Sequence, residues 1–196
     1  MGELEDIFWE YPTLAPFQKE WVDDPHRFKF IEGATGTGKT DVCEPFIFQE
    51  AHAPTKRGDE YWWVAPTIEQ ARAVFDGVVR MIEDAGATDI YRVDKTLREI
   101  TTPQGGILCF KTGENPDHLF GIRNVRLVVV DEFTRCRIKL WPALLSIANK
   151  TGCSIIFIGN YQGEDTEWHL LIEDIKNSVD VRYWKTTAEV AVEQGI

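Results

Sequence analysis

The spacing of apolar positions alternates between two periods along this chain. Short apolar runs at 27–31, 61–65, 127–130 and 154–158 have the length and the β-branched or aromatic content of strands. Leu127-Val128-Val129-Val130 carries no polar position at all, as a strand buried on both faces would. Between these runs the period is helical. Ile68, Ala71, Phe75, Val78 and Ile82 share one helix face, opened by Thr67 and Gln70 as a capping box and stopped by Gly86. Phe17 and Trp21, one helical turn apart, mark a short helix over 16–24. Further helices are expected over 39–52, 141–150 and 166–177, and a last strand over 181–184. Pro45 falls inside the first of these, so a kink or an irregular second turn is expected there. Segments 97–102 and 107–112, joined by Pro103-Gln104-Gly105-Gly106, read as an antiparallel hairpin. Strands alternating with crossover helices predict an α/β fold: a mostly parallel central sheet, flanked by helices, with a β-hairpin insertion. Such sheets bind ligands at the carboxyl ends of their strands.

That rule selects one segment. Directly after the first strand stands Gly33-Ala34-Thr35-Gly36-Thr37-Gly38-Lys39-Thr40, followed by a helix. Glycines let consecutive backbone N–H groups curl around a polyphosphate, and the helix N-terminus behind them adds a positive dipole. Lys39 is placed to reach the β- and γ-phosphates, and the Thr40 hydroxyl to sit on Mg²⁺. The pattern in this strand–loop–helix setting implies ATP or GTP bound with Mg²⁺.

A second element gives the site chemistry. The apolar strand at 127–130 ends in Asp131-Glu132. The first carboxylate is placed to hold the metal shell, and the second to take a proton from, or orient, the attacking water. If the strand continues through them, the pleat turns the two side chains to opposite faces, toward different partners. Asn160 closes the next strand, where its amide could contact the γ-phosphate or the lytic water; the alternative is an ordinary strand-exit turn. Gln18 precedes the loop by fifteen residues and could read an adenine edge beside Phe17 or Tyr11, or simply face solvent.

Composition bounds these readings. The chain has 196 residues, 43% of them hydrophobic and 12% aromatic, as a single globular domain would. No apolar stretch approaches the roughly 18 residues of a membrane span, and the acidic N-terminus is unlike a targeting peptide. Cys43, Cys109, Cys136 and Cys153 form no C-x-x-C pair and read as reduced core thiols of a cytosolic compartment. His26, His52, His118 and His169 show no metal-ligand spacing. The net charge of −11 is uneven: residues 1–24 contribute −6, residues 164–196 contribute −5, and the middle is neutral. This argues against strong DNA binding by the chain alone, but not against a local basic patch. Arg135, Arg137 and Lys139 alternate after the acidic pair, as a solvated loop or as a DNA or subunit contact. Trp62-Trp63 lies in a buried strand and reads as core rather than as a base-stacking platform.

The ordered set resembles the ATPase domain of the large terminase subunit of tailed bacteriophages. The set comprises Pro16-Phe17-Gln18-Lys19-Glu20, the loop at 33–40, Trp62-Trp63-Val64-Ala65-Pro66-Thr67, and the hairpin. It continues with Leu119-Phe120-Gly121-Ile122-Arg123, Val128-Val129-Val130-Asp131-Glu132 and Gly159-Asn160. The resemblance implies a P-loop NTPase fold of the RecA-like, ASCE type, and ATP hydrolysis that drives double-stranded DNA into a procapsid. It implies Lys39 and Thr40 as phosphate and Mg²⁺ contacts, Asp131 as the metal-shell acid, Glu132 as the catalytic base and Asn160 as a coupling residue. It further implies a homo-oligomeric ring working with a portal protein and a small terminase subunit in the host cytoplasm. A neighbouring subunit would supply an arginine finger, for which Arg123 is the candidate, with Arg92, Arg98, Arg135 and Arg137 competing. The family's RNase H-like nuclease domain is not expected within these residues, so no nuclease activity is assigned. A helicase-like translocase and a non-catalytic nucleotide-dependent interaction module are the alternatives.

Overall fold

The computed structural model describes residues 13–119, 124–187 and 189. Among the described residues the α-helices are α1 (Pro16–Asp23), α2 (Lys39–His52), α3 (Ile68–Asp84), α4 (Leu140–Thr151) and α5 (Glu167–Ile175). The strands are β1 (Phe28–Gly33), β2 (Glu60–Ala65), β3 (Arg92–Asp94), β4 (Glu99–Thr101), β5 (Ile107–Thr112), β6 (Val125–Val130), β7 (Ser154–Gly159) and β8 (Val181–Thr186). They make one eight-stranded sheet in the order β3-β4-β5-β2-β6-β7-β1-β8. The six strands from β5 to β8 in that order run parallel, and β3 and β4 run antiparallel at one edge.

Each sheet face is covered by helices. Trp63, Ile31, Val129 and Ile158 pack with Trp21, Ile47 and Phe75 from α1, α2 and α3. Trp62, Phe30, Val128 and Phe157 pack with Leu144 and Trp168 from α4 and α5. The adjacent tryptophans of β2 thus serve opposite layers, as the pleat requires, and both are buried core residues. Phe17 and Trp21 meet edge to face at 5.1 Å. The four cysteines are buried thiols without disulfides. No helix among the described residues is long and apolar enough to cross a membrane.

Several expectations need correction. The expected hairpin is formed by β4 and β5, but within a three-stranded antiparallel edge. Its first arm shortens to β4, and β3 joins outside it with Arg92 opposite Thr101. β3 is three residues long and has no buried residue, so it leaves no apolar run to find. Pro45 is buried inside α2, which runs from Lys39 to His52 without a break in its helical assignment. Thr67 caps α3 by accepting from the Gln70 N–H at 3.3 Å, but the Gln70 side-chain oxygen makes no return bond, so the capping box is half formed. The strand β6 stops at Val130, so the acidic pair lies beyond the pleat.

Candidate nucleotide site

Strand β1 runs to Gly33, so the loop begins while the chain is still hydrogen-bonded to its neighbours. The Ala34 N–H donates to the Thr186 carbonyl at the end of β8, 3.2 Å away. Residues 34–38 then turn into α2. Gly38 has φ +75°, a left-handed conformation, and a Cβ there would lie 2.5 Å from the Gln18 amide nitrogen. Only glycine suits both conditions.

Lys39 enters the first turn of α2 and folds back into the loop. Its Nζ donates within reach of four acceptors: the carbonyls of Gly33 (3.1 Å) and Ala34 (2.9 Å), Thr37 Oγ1 (3.2 Å) and Asn160 Oδ1 (3.2 Å). Thr37 in turn donates from its hydroxyl to the Ala34 carbonyl at 3.0 Å. Burial pulls the Lys39 ammonium below the ordinary lysine range, and the carboxylates of Glu132 and Asp131 oppose that pull. Thr35 and Gly36 are exposed at the loop's tip, and Thr40 follows Lys39 on α2, half-buried.

Asp131 and Glu132 approach from the end of β6. Asp131 donates its N–H to the Val64 carbonyl of β2 at 2.8 Å, which holds the turn against the sheet. Glu132 has φ +48°, a conformation that costs a branched or long side chain about 1 kcal/mol or more. The orientation of the pair is therefore set by a left-handed turn leading into a short 3₁₀ helix (Phe133–Arg135), not by strand alternation. Arg135 pairs with Glu132 at 3.9 Å but is largely exposed, so this contact contributes little. Burial first, and then the neighbouring Glu132 charge, push the Asp131 carboxyl up to about 6.

Asn160 completes the set from the end of β7. Its side chain accepts from Lys39, and its backbone carbonyl accepts from the Thr134 hydroxyl at 3.0 Å. One residue thus touches both the loop lysine and the turn that carries the acids. Gln18 is neither exposed nor isolated: it is buried in α1, accepts from the Ala15 N–H at 2.9 Å and donates to the Thr37 carbonyl at 3.1 Å. It holds the loop from outside, which removes the solvent-facing alternative. Arg123 and Tyr11 lie outside the described residues. Of the competing arginines, Arg92 and Arg137 are exposed, whereas Arg98 is half-buried with its Nε unpartnered.

Two further residues, Glu44 beside the site and Lys29 at the far end of β1, carry no motif and were not anticipated. Glu44 stands one helical turn after Thr40 on α2. Its carboxyl is pushed up to about 7, by burial and then by the charges of Asp131 and Asp41. Lys29 is a buried lysine of β1. The periodic signal for Glu44 was present, since positions four apart share a helix face.

A glycine loop between a parallel strand and a helix, facing two carboxylates at the end of a neighbouring strand, defines the P-loop nucleoside-triphosphatase fold. Residues 13–165 match the model of the family described as AAA domain, and the chain belongs to that family. No curated protein matches the sequence. Among solved structures, the large terminase ATPase domain of Thermus phage P74-26 superposes with a TM-score of 0.71 at 16% identity. That match covers 93% of this chain and 83% of the other. The large terminase of the thermophilic bacteriophage D6E, also seen in complex with ADP, gives 0.70 at 16% identity, over 92% of this chain and 47% of that one. The N-terminal domain of the DNA packaging ATPase from bacteriophage phi29 gives 0.58 at 14% identity, covering 87% and 94%. The chain thus spans less than half of the D6E protein and most of the two isolated domains.

Proposed function

We propose that this domain hydrolyses ATP to drive double-stranded DNA into a viral procapsid, as the motor part of a large terminase. One observation carries the reading. Lys39 of the loop, the turn holding Asp131 and Glu132, and Asn160 converge at the carboxyl ends of β1, β6 and β7. The fold in which they converge is shared with three phage packaging ATPases.

In this reading the amides of Gly33, Ala34, Thr35, Gly36, Thr37 and Gly38 cradle the phosphates and Lys39 neutralises charge on the β- and γ-oxygens. The donor set fits a divalent ion: Thr40 supplies a hydroxyl, and Asp131 a half-buried carboxylate whose charge is opposed by Glu132. Mg²⁺ there would screen phosphate charge and the two acids together. Glu132 orients and deprotonates the attacking water, and Asn160 reports phosphate loss through its bonds to Lys39 and Thr134. Gln18 contributes through the loop backbone, with the adenine edge as its further contact. The motor would assemble as a ring on a portal protein, with a small terminase subunit, in the host cytoplasm. Arg123 of one subunit would reach the site of the next.

The test is Mg²⁺-dependent ATP turnover as a function of protein concentration. Activity rising more steeply than concentration, and lost in Lys39→Ala, is expected; a strictly linear dependence counts against a finger acting between subunits. DNA-stimulated unwinding would favour a helicase. Nucleotide binding without turnover, even in assembled rings, would make the domain an interaction module.

A further inference from the structure

Lys29 lies in β1, 5% exposed, on the sheet face covered by α1 and α2. Its Nζ donates to the Trp21 carbonyl at 3.0 Å and to the Val22 carbonyl at 3.2 Å. Both carbonyls belong to the last turn of α1, where no further helical N–H arrives to donate to them. The Asp24 N–H satisfies Glu20 instead. At the other end of the same helix, Gln18 ties the Ala15 N–H to the Thr37 carbonyl of the phosphate loop. An eight-residue helix has little stability of its own, so its placement depends on such ties.

Lys29 and the loop are also parts of one continuous segment, since β1 ends at Gly33. The helix is therefore fastened to the strand at one end and to the loop that follows that strand at the other. We infer that Lys29 is a positioning residue for nucleotide binding: by capping α1 it sets where Gln18 holds the Thr37 carbonyl. An apolar side chain would fill this layer at lower desolvation cost. Burial pulls the Lys29 ammonium below its ordinary range, and Asp24 opposes that.

The inference rests on the loop being a nucleotide site, so the test begins with ADP and Mg²⁺ titrated into the full 196-residue chain by calorimetry. If the wild-type chain binds no nucleotide, that reading fails and the inference with it. If it binds, Lys29→Met is expected to weaken ADP about tenfold and to raise KM similarly, with kcat falling less than about twofold. Lys29→Arg, which can still donate to both carbonyls, should recover affinity to within about threefold. In a Gln18→Ala background, Lys29→Met should add less than about twofold, because the route is already cut. Three results would overturn the inference: a lower Tm with unchanged ADP affinity, Gln18 and Lys29 effects that simply multiply, or loss of the native fold in both Lys29→Met and Lys29→Gln.

Discussion

Asn160 accepts a hydrogen bond from Lys39 across the ends of β7 and β1, at 3.2 Å. Three other acceptors also face the lysine Nζ: two loop carbonyls and the Thr37 hydroxyl. Removing the Asn160 amide therefore leaves Lys39 held. Asn160→Ala is expected to keep ADP affinity within about threefold while turnover falls on the order of a hundredfold. Parallel calorimetry and steady-state kinetics check this. A loss of affinity matching the loss of turnover would make Asn160 a binding residue only.

Lys39→Ala removes a charge-assisted donor from the phosphates and should abolish measurable hydrolysis. ADP affinity should drop on the order of tenfold to a hundredfold. Normal turnover in this variant would refute the site assignment.

Glu132→Gln keeps the shape of the side chain and the left-handed turn but removes the base. ATP should remain bound and uncleaved, with turnover down on the order of a hundredfold or more. Retention of radiolabelled ATP on the protein is the readout. If binding vanished instead, Glu132 would belong to the framework of the site.

Gly38→Ala meets two obstacles at once, the positive φ and the Gln18 amide nitrogen. It should destabilise the fold by about 1–2 kcal/mol and weaken nucleotide binding. Gln18→Ala added to it removes the clash but not the backbone strain. Part of the loss, not all, should then return in denaturant titrations. Full recovery would mean that the conformation itself costs nothing.

Glu44 binds its proton more tightly in the folded chain than when unfolded, since its carboxyl titrates at about 7 rather than near 4.5. The folded state then holds more protons in this window, so stability drains away as pH rises through it. Glu44→Gln should gain in Tm over the parent, by an increment that grows between about pH 5 and pH 8. Thermal melts without nucleotide or metal test this. A constant offset would place Glu44 in an environment no different from water.

The sheet and the loop were legible because they rest on local signals. β-branched runs buried on both faces, helical periodicity and a glycine pattern after a strand need no tertiary knowledge. The order of strands does not follow from such signals, and neither does β3, whose residues carry no apolar pattern. The acids were found, but not their turn: Glu132 adopts a backbone that its residue type disfavours, which only the surroundings can impose. Gln18 was singled out from its place before the loop, yet its hold on Thr37 links residues nineteen apart. Lys29 had no signal, because a lysine within a strand reads as solvent-facing until the strand is known to be central.

The bond from the Ala34 N–H to the Thr186 carbonyl joins the glycine loop to β8, the last strand among the described residues. During synthesis the loop leaves the ribosome long before its partner exists. The strand that pairs with β1 on this side, and the carbonyl that holds Ala34, are thus among the latest parts of the chain to be made. A nascent chain stalled before residue 181 would carry every residue of the phosphate loop without the strand that flanks it.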